Sequence, residues 1–301
     1  MEQPSVSAQS VNTEALSIFE SARFHARKRI LIDPVLWTRL HLEILSCTFS
    51  QCSPACQDNM DVPPIDGWRI KDFKRNFYEK HQKWNAKEGS IQGILSNLKP
   101  LPFLWGRDLF LDLGGYPSVR LPCTYYCLGD NIPLAAHVDR SHIISLRGQR
   151  ARPPIRRWNY PAIKLGRLKV KTVTPIEPLH DPYLVALLIA LAQDQWRALG
   201  RLNLQQAAGL AGVTPKVMFS TEDRNDMYIY SANVPSSLID MFDKPALKPP
   251  MPGRLSVQIS SVPYEPIETL RGRLLAVLLS ATRPEDVGKP ERLIMYGYTC
   301  T

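Results

Sequence analysis

The strongest hydrophobic pattern in the chain is a run of ten apolar or aromatic residues at 183–192, within the segment DPYLVALLIALAQDQW. Asp181 is a favourable N-cap, Pro182 suits the first helical position, and Gly200 suits a helix end. A bilayer span needs about 20 apolar residues, so the run is too short to cross a membrane. A helix over 182–199 that is apolar all round in its first half instead predicts a position at the centre of a core.

The segments after this helix alternate between strand and helix patterns. Residues 216–220 and 227–234 flank a polar turn and predict a β-hairpin. PSSLIDMFD predicts a short helix, RLSVQISSV alternates as a half-buried strand does, and residues 266–282 predict a final helix. The carboxy-terminal half is therefore predicted as helix, hairpin, helix, strand and helix, packed around the central buried helix.

The amino-terminal half shows mainly helical patterns. Helices are predicted over 12–28, 34–48 and 68–86, and in the third the apolar residues repeat at spacings of three and four. RDLFLDLGG and CTYYCLGDN predict short strands or turns. Together these patterns predict an α+β fold with a helical amino-terminal half.

Length and composition suggest how the chain is divided. A chain of 301 residues can bury a sizeable core, and 26 prolines predict many loops and short elements. We expect a disordered tail over 1–12, one α+β domain over 13–282 with a weak subdivision near 150, and an extension over 283–301. The amino terminus lacks the basic start and apolar run of a secretory signal, which predicts a soluble intracellular protein, cytoplasmic or nuclear, with no membrane partner.

Positive charge is concentrated in one segment. The chain has a net charge of +9, yet residues 140–176 contain no Asp or Glu. That window holds ten Lys or Arg residues, so the rest of the chain has a net charge of −1 (+9 less +10). The candidate anion-binding residues are Arg147, Arg150, Arg152, Arg156, Arg157, Trp158, Lys164, Arg167, Lys169 and Lys171.

This charge has two interpretations. It indicates an anionic partner, either nucleic acid or an acidic protein surface, because arginines neutralise phosphates and aromatic rings stack on unpaired bases. Alternatively, the charges are solvated or pair with carboxylates from elsewhere in the fold. The alternation of basic and apolar residues over 163–171 also fits the wet face of an edge strand, where lysines discourage aggregation.

Two cysteine pairs are the candidates for metal binding. Cys52 with Cys56, and Cys123 with Cys127, could supply four thiolates to zinc. Three residues rather than two separate the members of each pair, and 66 residues lie between the pairs, so the pattern departs from a zinc knuckle. Buried free cysteines behave as small hydrophobic residues. We therefore expect reduced thiols, no metal and no other cofactor.

The candidate catalytic residues fall into two groups. The segment HVDRSH offers two imidazoles and a carboxylate that could bind a metal or exchange protons, although histidines five apart do not share a helix face. Three carboxylates crowd the turn of the predicted hairpin. The candidates are His137, Asp139, His142, Glu222, Asp223 and Asp226, and they would serve an enzyme of unrecognised type.

Familiar catalytic signatures are missing from the sequence. It contains no phosphate-binding G-x-x-x-x-G-K-[ST] loop, no G-x-G-x-x-G, no G-x-S-x-G and no H-E-x-x-H. The order of helix, strand pair, helix and strand resembles the PD-(D/E)-x-K nuclease fold. The strand MYIYSANV, however, lacks Glu-x-Lys, and the acidic-x-Lys at 72–74 lies on a predicted helix. The resemblance therefore implies at most a degenerate, nuclease-like protein.

Two segments carry a second resemblance. IEPLHDPYLVALLIALAQDQ and DMYIYSANVPSSLIDMFD resemble a family of proteins from filamentous fungi to which no activity, cofactor or site residue is assigned. The resemblance covers mainly residues 160–280. It, rather than any residue pattern, suggests a place beside a fungal natural-product pathway.

Three function classes remain open from the sequence. The leading expectation is an accessory or interaction protein without a catalytic centre, because the enzyme motifs are missing and the excess positive charge lies in one segment. The main alternative is a nucleic-acid-binding or degenerate nuclease-like protein that uses residues 140–171. The third class is the enzyme of unrecognised type.

Overall fold

A computed structural model describes residues 16–56, 58–79, 83–96, 103–128, 132–151, 160–202, 212–248 and 254–280. The predicted tail at 1–12 and extension at 283–301 lie outside these residues, as do the candidates Arg152, Arg156, Arg157 and Trp158. The helices and the mixed sheet confirm the α+β class. The assignment of one domain to 13–282 stays a prediction.

The described residues contain the following helices and strands. The helices are α1 (Ile18–Phe24), α2 (Arg39–Ile44), α3 (Gly67–Tyr78), α4 (Trp84–Leu95), α5 (Arg140–Ala151), α6 (Tyr160–Val173), α7 (Pro182–Leu202), α8 (Ser236–Asp243) and α9 (Ile267–Leu279), with 3₁₀ turns at Pro34–Leu36 and Pro178–His180. The strands are β1 (Cys47–Phe49), β2 (Ser53–Pro54), β3 (Phe103–Leu111), β4 (Val119–Leu128), β5 (Ile132–Asp139), β6 (Gly212–Val213), β7 (Lys216–Ser220), β8 (Asp226–Ala232), β9 (Val234–Pro235) and β10 (Leu255–Pro263).

One large mixed sheet organises the fold. Its strand order is β1-β10-β8-β7-β5-β4-β3, and β2 also pairs with β10. Strands β3, β4 and β5 form an antiparallel meander, whereas β7 lies parallel to β5. The chain makes the crossover from β5 to β7 through α5, α6 and α7. Because β5 and β7 are parallel, their carboxyl ends lie at the same edge of the sheet.

Helix α7 lies against one face of this sheet. It packs on β3, β5 and β7, and its other sides are covered by α2, α8 and the 3₁₀ turn at Pro34–Leu36. Every residue from Tyr183 to Ala192 is 0% exposed. The carboxylate of Asp181 caps the helix by accepting a hydrogen bond from the backbone N–H of Tyr183 (2.9 Å). The apolar run is therefore buried because the sheet and a second layer of elements enclose it.

Helices α3, α4 and α9 cover the opposite face. Phe73 of α3, Ile91 of α4 and Leu274 of α9 belong to one buried cluster with Met218 of the sheet. Lys216 at the start of β7 ties α9 to the sheet, because its ammonium donates hydrogen bonds to the carbonyls of Val277 (2.6 Å), Leu278 (3.1 Å) and Ser280 (2.6 Å). The sheet is thus enclosed by helices on both faces.

Several predicted elements differ from the observed ones. The helix predicted over 34–48 is a 3₁₀ turn (Pro34–Leu36), the short helix α2 (Arg39–Ile44) and the start of strand β1 (Cys47–Phe49). The helix predicted over 68–86 is two helices, α3 and α4. The segments expected as short strands or turns are the long strands β3 and β4 in the predicted helical half. The edge-strand interpretation of 163–171 is wrong, because these residues form α6. Among the described residues, no helix is both long and apolar enough to cross a membrane.

Candidate functional site

A buried polar cluster lies at the carboxyl ends of β5 and β7, on the face covered by α4. It contains His137 and Asp139 of β5, His142 of α5 and Ser220 of β7. Lys87 and Glu88 of α4, which were not predicted, reach the same place. The cluster therefore contains three of the sequence-predicted candidates, and the parallel pairing of β5 with β7 adds Ser220 to them.

Asp139 lies at the centre of the cluster. Its Oδ2 accepts hydrogen bonds from Lys87 Nζ (3.2 Å) and the Ser220 hydroxyl (2.8 Å), while its Oδ1 accepts the backbone N–H of Ser141 (2.9 Å). Lys87 also donates to the backbone carbonyl of Thr221 (3.1 Å). The Asp139 side chain is 1% exposed. Every charge here is thus satisfied by a neighbour in the fold, as a buried ion pair requires.

His137 and Ser220 form a close pair that does not have the geometry of a catalytic triad. His137 Nε2 lies 3.2 Å from Ser220 Oγ, but the carboxylate of Asp139 binds the serine rather than the imidazole. Among the described residues, His137 Nδ1 has no hydrogen-bond partner. A triad instead needs the imidazole between the hydroxyl and the carboxylate. Burial lowers the pKa of His137, which favours the neutral form of the ring.

Glu88 and His142 form the second half of the cluster. Glu88 Oε1 lies 2.8 Å from His142 Nδ1 and accepts the backbone N–H of Asp139 (3.3 Å). The indole of Trp84 stacks on the imidazole of His142, with ring centroids 3.6 Å apart and an interplanar angle of 4°. These contacts fix α4 and α5 against β5.

The cluster is closed to solvent. His137 and Ser220 are both 0% exposed, so no substrate reaches the hydroxyl or the ring in this conformation. A nucleophile and its base must be accessible to a reacting atom. Within the described part of the chain, no three His, Cys, Asp or Glu side chains are placed to hold a metal ion together. The contacts of the cluster therefore join α4, β5, α5 and β7.

The predicted turn carboxylates lie beside the cluster but do not enter it. Glu222 Oε2 pairs with Arg140 Nη1 (2.7 Å). Asp223 accepts hydrogen bonds from the backbone N–H of Asn225 (3.0 Å) and the hydroxyl of Tyr228 (3.0 Å). Burial, followed by the charge of Asp223, raises the pKa of Asp226. These carboxylates stabilise the β7–β8 turn and do not converge on one point.

The two cysteine pairs lie far apart in the sheet. Cys52 and Cys56 flank β2, which pairs with β10, whereas Cys123 and Cys127 lie on β4. Four strand spacings separate β10 from β4, about 19 Å at roughly 4.8 Å each. Thiolates that share one zinc lie within about 5 Å of each other, since each bond is about 2.3 Å. The four sulfur atoms are therefore not positioned for one metal.

The arginines of α5 are paired with acids from distant parts of the chain. Arg147 is buried and binds both carboxylate oxygens of Asp181 (2.8 and 2.6 Å), while its Nε donates to the carbonyl of Val35 (3.1 Å). Arg150 Nε lies 2.8 Å from Asp33 Oδ2. Arg147 is therefore not available to an anionic partner, contrary to the sequence-based prediction, and Arg150 is already matched by a carboxylate.

Helix α6 differs from α5 in this respect. Its cations Lys164, Arg167, Lys169 and Lys171 are all exposed, and none of them forms a salt bridge with another residue that the structure describes. Leu165 and Leu168 of the same helix are 54% and 56% exposed. α6 contacts α5 through its other side, where Gly166 is buried. The surface of α6, with these four cations and two leucines, is the second candidate site.

Residues of the cluster that the sequence did not predict lie on α4 and at the end of β7. Lys87, Glu88 and Ser220 are 51 to 83 positions from their partners in β5 and α5, so no local pattern connects them. The apolar spacing of Ile91, Ile94 and Leu95 could have revealed α4, and with it the inward face of Glu88. These residues are thus found only from the fold.

No protein-family model, curated protein or solved structure matches the chain.

Proposed function

We propose that this protein acts by binding an anionic macromolecule through α6, as an accessory or interaction factor rather than as an enzyme. The observation that carries the proposal is the set of four exposed cations on α6 without a salt-bridge partner among the described residues. The fungal family and the natural-product pathway stay predictions.

The other cations of the acid-free segment that the structure describes are bound to acids within the fold. Arg140, Arg147 and Arg150 each meet a carboxylate within the fold, so their positive charge is neutralised locally. Along α6, Lys164, Arg167 and Lys171 recur at spacings of three and four, which places them on one face. A row of like charges on one helix face attracts anions and accelerates their association.

Binding is favoured over catalysis by the state of the polar cluster. Its carboxylates, imidazoles and hydroxyl are engaged with one another and buried. The exposed surface of α6, in contrast, carries four cations that form no salt bridge with other described residues. This surface can therefore contribute electrostatic attraction and apolar contact.

The test is polyanion binding by a variant of α6. Fluorescence anisotropy would measure the affinity of the protein for labelled heparin, polyglutamate and a short DNA duplex between about 50 and 200 mM salt. The variant is Lys164→Gln, Arg167→Gln, Lys169→Gln and Lys171→Gln. We expect the affinity of the wild type to fall as the salt concentration rises. At the lower salt concentration the variant should bind at least about tenfold more weakly than the wild type, since each lost ionic contact weakens binding.

The matched control removes four other exposed cations. This control variant changes the net charge by the same amount at other surfaces, through Lys71→Gln, Lys74→Gln, Lys244→Gln and Arg254→Gln. Equal loss of affinity in both variants, or no binding of any polyanion by the wild type, contradicts the proposal.

A second candidate is a degenerate nuclease-like protein that binds nucleic acid. It is supported by the order α7, β7–β8, α8 and β10, which resembles that fold, and by the convergence of Lys87, Glu88 and Asp139 at the end of β5. A nuclease of the PD-(D/E)-x-K class needs acidic residues that converge at a sheet with a lysine near the attacking water. Here Lys87 is bound to Asp139 instead. This candidate expects the DNA duplex to bind more tightly than polyglutamate, without cleavage of plasmid DNA in Mg²⁺.

A further inference from the structure

Four exposed residues of α6, three of them apolar and the fourth a threonine, follow a heptad pattern. Pro161, Leu165, Leu168 and Thr172 are separated by four, three and four positions, which is the spacing of the a and d positions of a coiled coil. All four are exposed. The helix therefore carries an apolar seam of the kind that normally faces another helix.

The cations occupy the positions that flank this seam. With Leu165 at a and Leu168 at d, Lys169 falls at e, and Lys164 and Lys171 fall at g. The e and g residues of paired helices form the interhelical salt bridges that set partner choice. Three exposed lysines thus lie along both edges of the seam.

The mixture of leucine and lysine favours one class of partner. Nucleic acid would neutralise the lysines but would leave the leucines in water or against phosphates. A second copy of this chain would place lysine against lysine across the seam, and like charges at e and g disfavour pairing. A partner helix with an apolar strip flanked by acidic residues would cover the leucines and pair with the lysines.

We infer, on the basis of the proposed function, that α6 binds an acidic amphipathic helix of a partner protein, with Leu-type residues on its a and d positions and Glu or Asp at e and g. The seam from Pro161 to Thr172 spans about 17 Å at 1.5 Å per residue. The contacting part of the partner is therefore about three helical turns long. Such a contact is below the size of a stable protein interface, so the complex is weak and reversible.

The experiment uses synthetic peptides and the full chain. The first peptide has Leu at a and d and Glu at e and g over two heptads. The second has the same composition in scrambled order, and the third has Lys in place of Glu at e and g. Fluorescence anisotropy measures Kd, and we expect the first peptide to bind at least about tenfold more tightly (~1.4 kcal/mol) than the other two.

Two variants of the protein separate the seam from the charges. Leu165→Gln with Leu168→Gln weakens binding of the first peptide by about tenfold or more and leaves heparin binding unchanged. Leu247→Gln, at an exposed leucine elsewhere, changes neither. Lys164→Glu, Lys169→Glu and Lys171→Glu together reverse the preference, so the Lys peptide becomes the better ligand.

The outcomes distinguish this inference from the proposed function. If heparin binds through α6 but the ordered and scrambled peptides bind equally, the inference fails and the proposed function stands. If the DNA duplex binds more tightly than the ordered peptide and the leucine variant has no effect, the occupant is nucleic acid and the inference is overturned. If neither heparin nor any peptide binds, both fail.

Discussion

Helices α5 and α6 belong to the same acid-free segment and yet use their charge in opposite ways. On α5, Arg147 and Arg150 meet carboxylates that lie in other elements of the fold. On α6, the four cations are exposed and form no salt bridge with other described residues. A stretch of sequence without acidic residues can therefore still be surrounded by acidic residues from other parts of the fold. Only the part of the window whose charges remain unmatched after folding is a candidate for binding.

The charges of the two helices also differ in what they contribute to folding stability and to binding. A buried bidentate pair such as Arg147 with Asp181 is sensitive to removal of one partner, because the other charge is left in a low-dielectric interior. Exposed cations on a helix surface contribute little to stability. Substitutions in the two helices should therefore affect different measurements.

The largest expected effect is the loss of stability when the buried pair is broken. Arg147→Met leaves Asp181 uncompensated and should lower the free energy of unfolding by about 3–5 kcal/mol, measured by urea denaturation. A double-mutant cycle with Asp181→Asn should show strong coupling between the two residues. A loss below about 1 kcal/mol for Arg147→Met would place the pair in a solvated environment and contradict the comparison.

The next largest effect is expected in the polar cluster. Asp139→Asn removes the charge that Lys87 and Ser220 share and should cost about 1–3 kcal/mol of unfolding free energy. The control is Glu222→Gln, which removes the exposed partner of Arg140 and should cost less than about 1 kcal/mol. Equal losses of unfolding free energy in the two variants would show that burial does not increase the contribution of Asp139 to stability.

Stability should also depend on pH through the buried histidines. Burial lowers the pKa of His137, and of His41, below the ordinary value of 6.5. As the pH falls below 6.5, the unfolded chain binds protons that the folded chain does not, so the free energy of unfolding decreases until the lowered pKa values are reached. Glu88, Asp139, Lys87 and His142 face His137, and its carboxylate neighbours partly offset the effect of burial.

Urea denaturation at pH values on either side of 6.5 measures this dependence. His137→Gln removes one titrating group and should make the dependence shallower. An unchanged slope in that variant would show that His137 does not titrate differently in the folded and unfolded states.

The smallest expected effect on stability is in α6. The variant with glutamine at positions 164, 167, 169 and 171 should keep its free energy of unfolding within about 0.5 kcal/mol of the wild type. A larger loss would mean that these cations are bound within the fold, and the contrast with α5 would disappear.

The sequence predicted the elements whose patterns are strong and local. α7, the hairpin of β7 and β8, and β10 all begin within two residues of their predicted positions. Strand β4 was underestimated because apolar residues occupy both of its faces, as Leu121 and Tyr126 do, so the alternation typical of a half-buried strand is absent. In α6, the order of lysines and leucines fits both a strand and a helix, and packing against α5 decides between them.

The candidate sites depended on contacts that no local pattern contains. His137, Asp139 and His142 were predicted as a group. Their contact with Ser220 follows from the pairing of β5 with β7, and their contact with Glu88 follows from the packing of α4 against β5 and α5. The pairing of Arg147 with Asp181 joins α5 to the start of α7. Neither could be read from spacing, whereas the exposed seam of α6 is present in the sequence once its helical period is known.

The most direct test of the central claim is the salt dependence of polyanion binding in variants of the two helices. For a DNA duplex, the slope of log Kobs against log salt falls by about 0.9 for each ionic contact removed. We predict that glutamine at Lys164, Arg167, Lys169 and Lys171 makes the slope markedly shallower, while Arg140→Gln with Arg150→Gln leaves it nearly unchanged. A slope that responds to the α5 pair and not to the α6 residues would contradict the account.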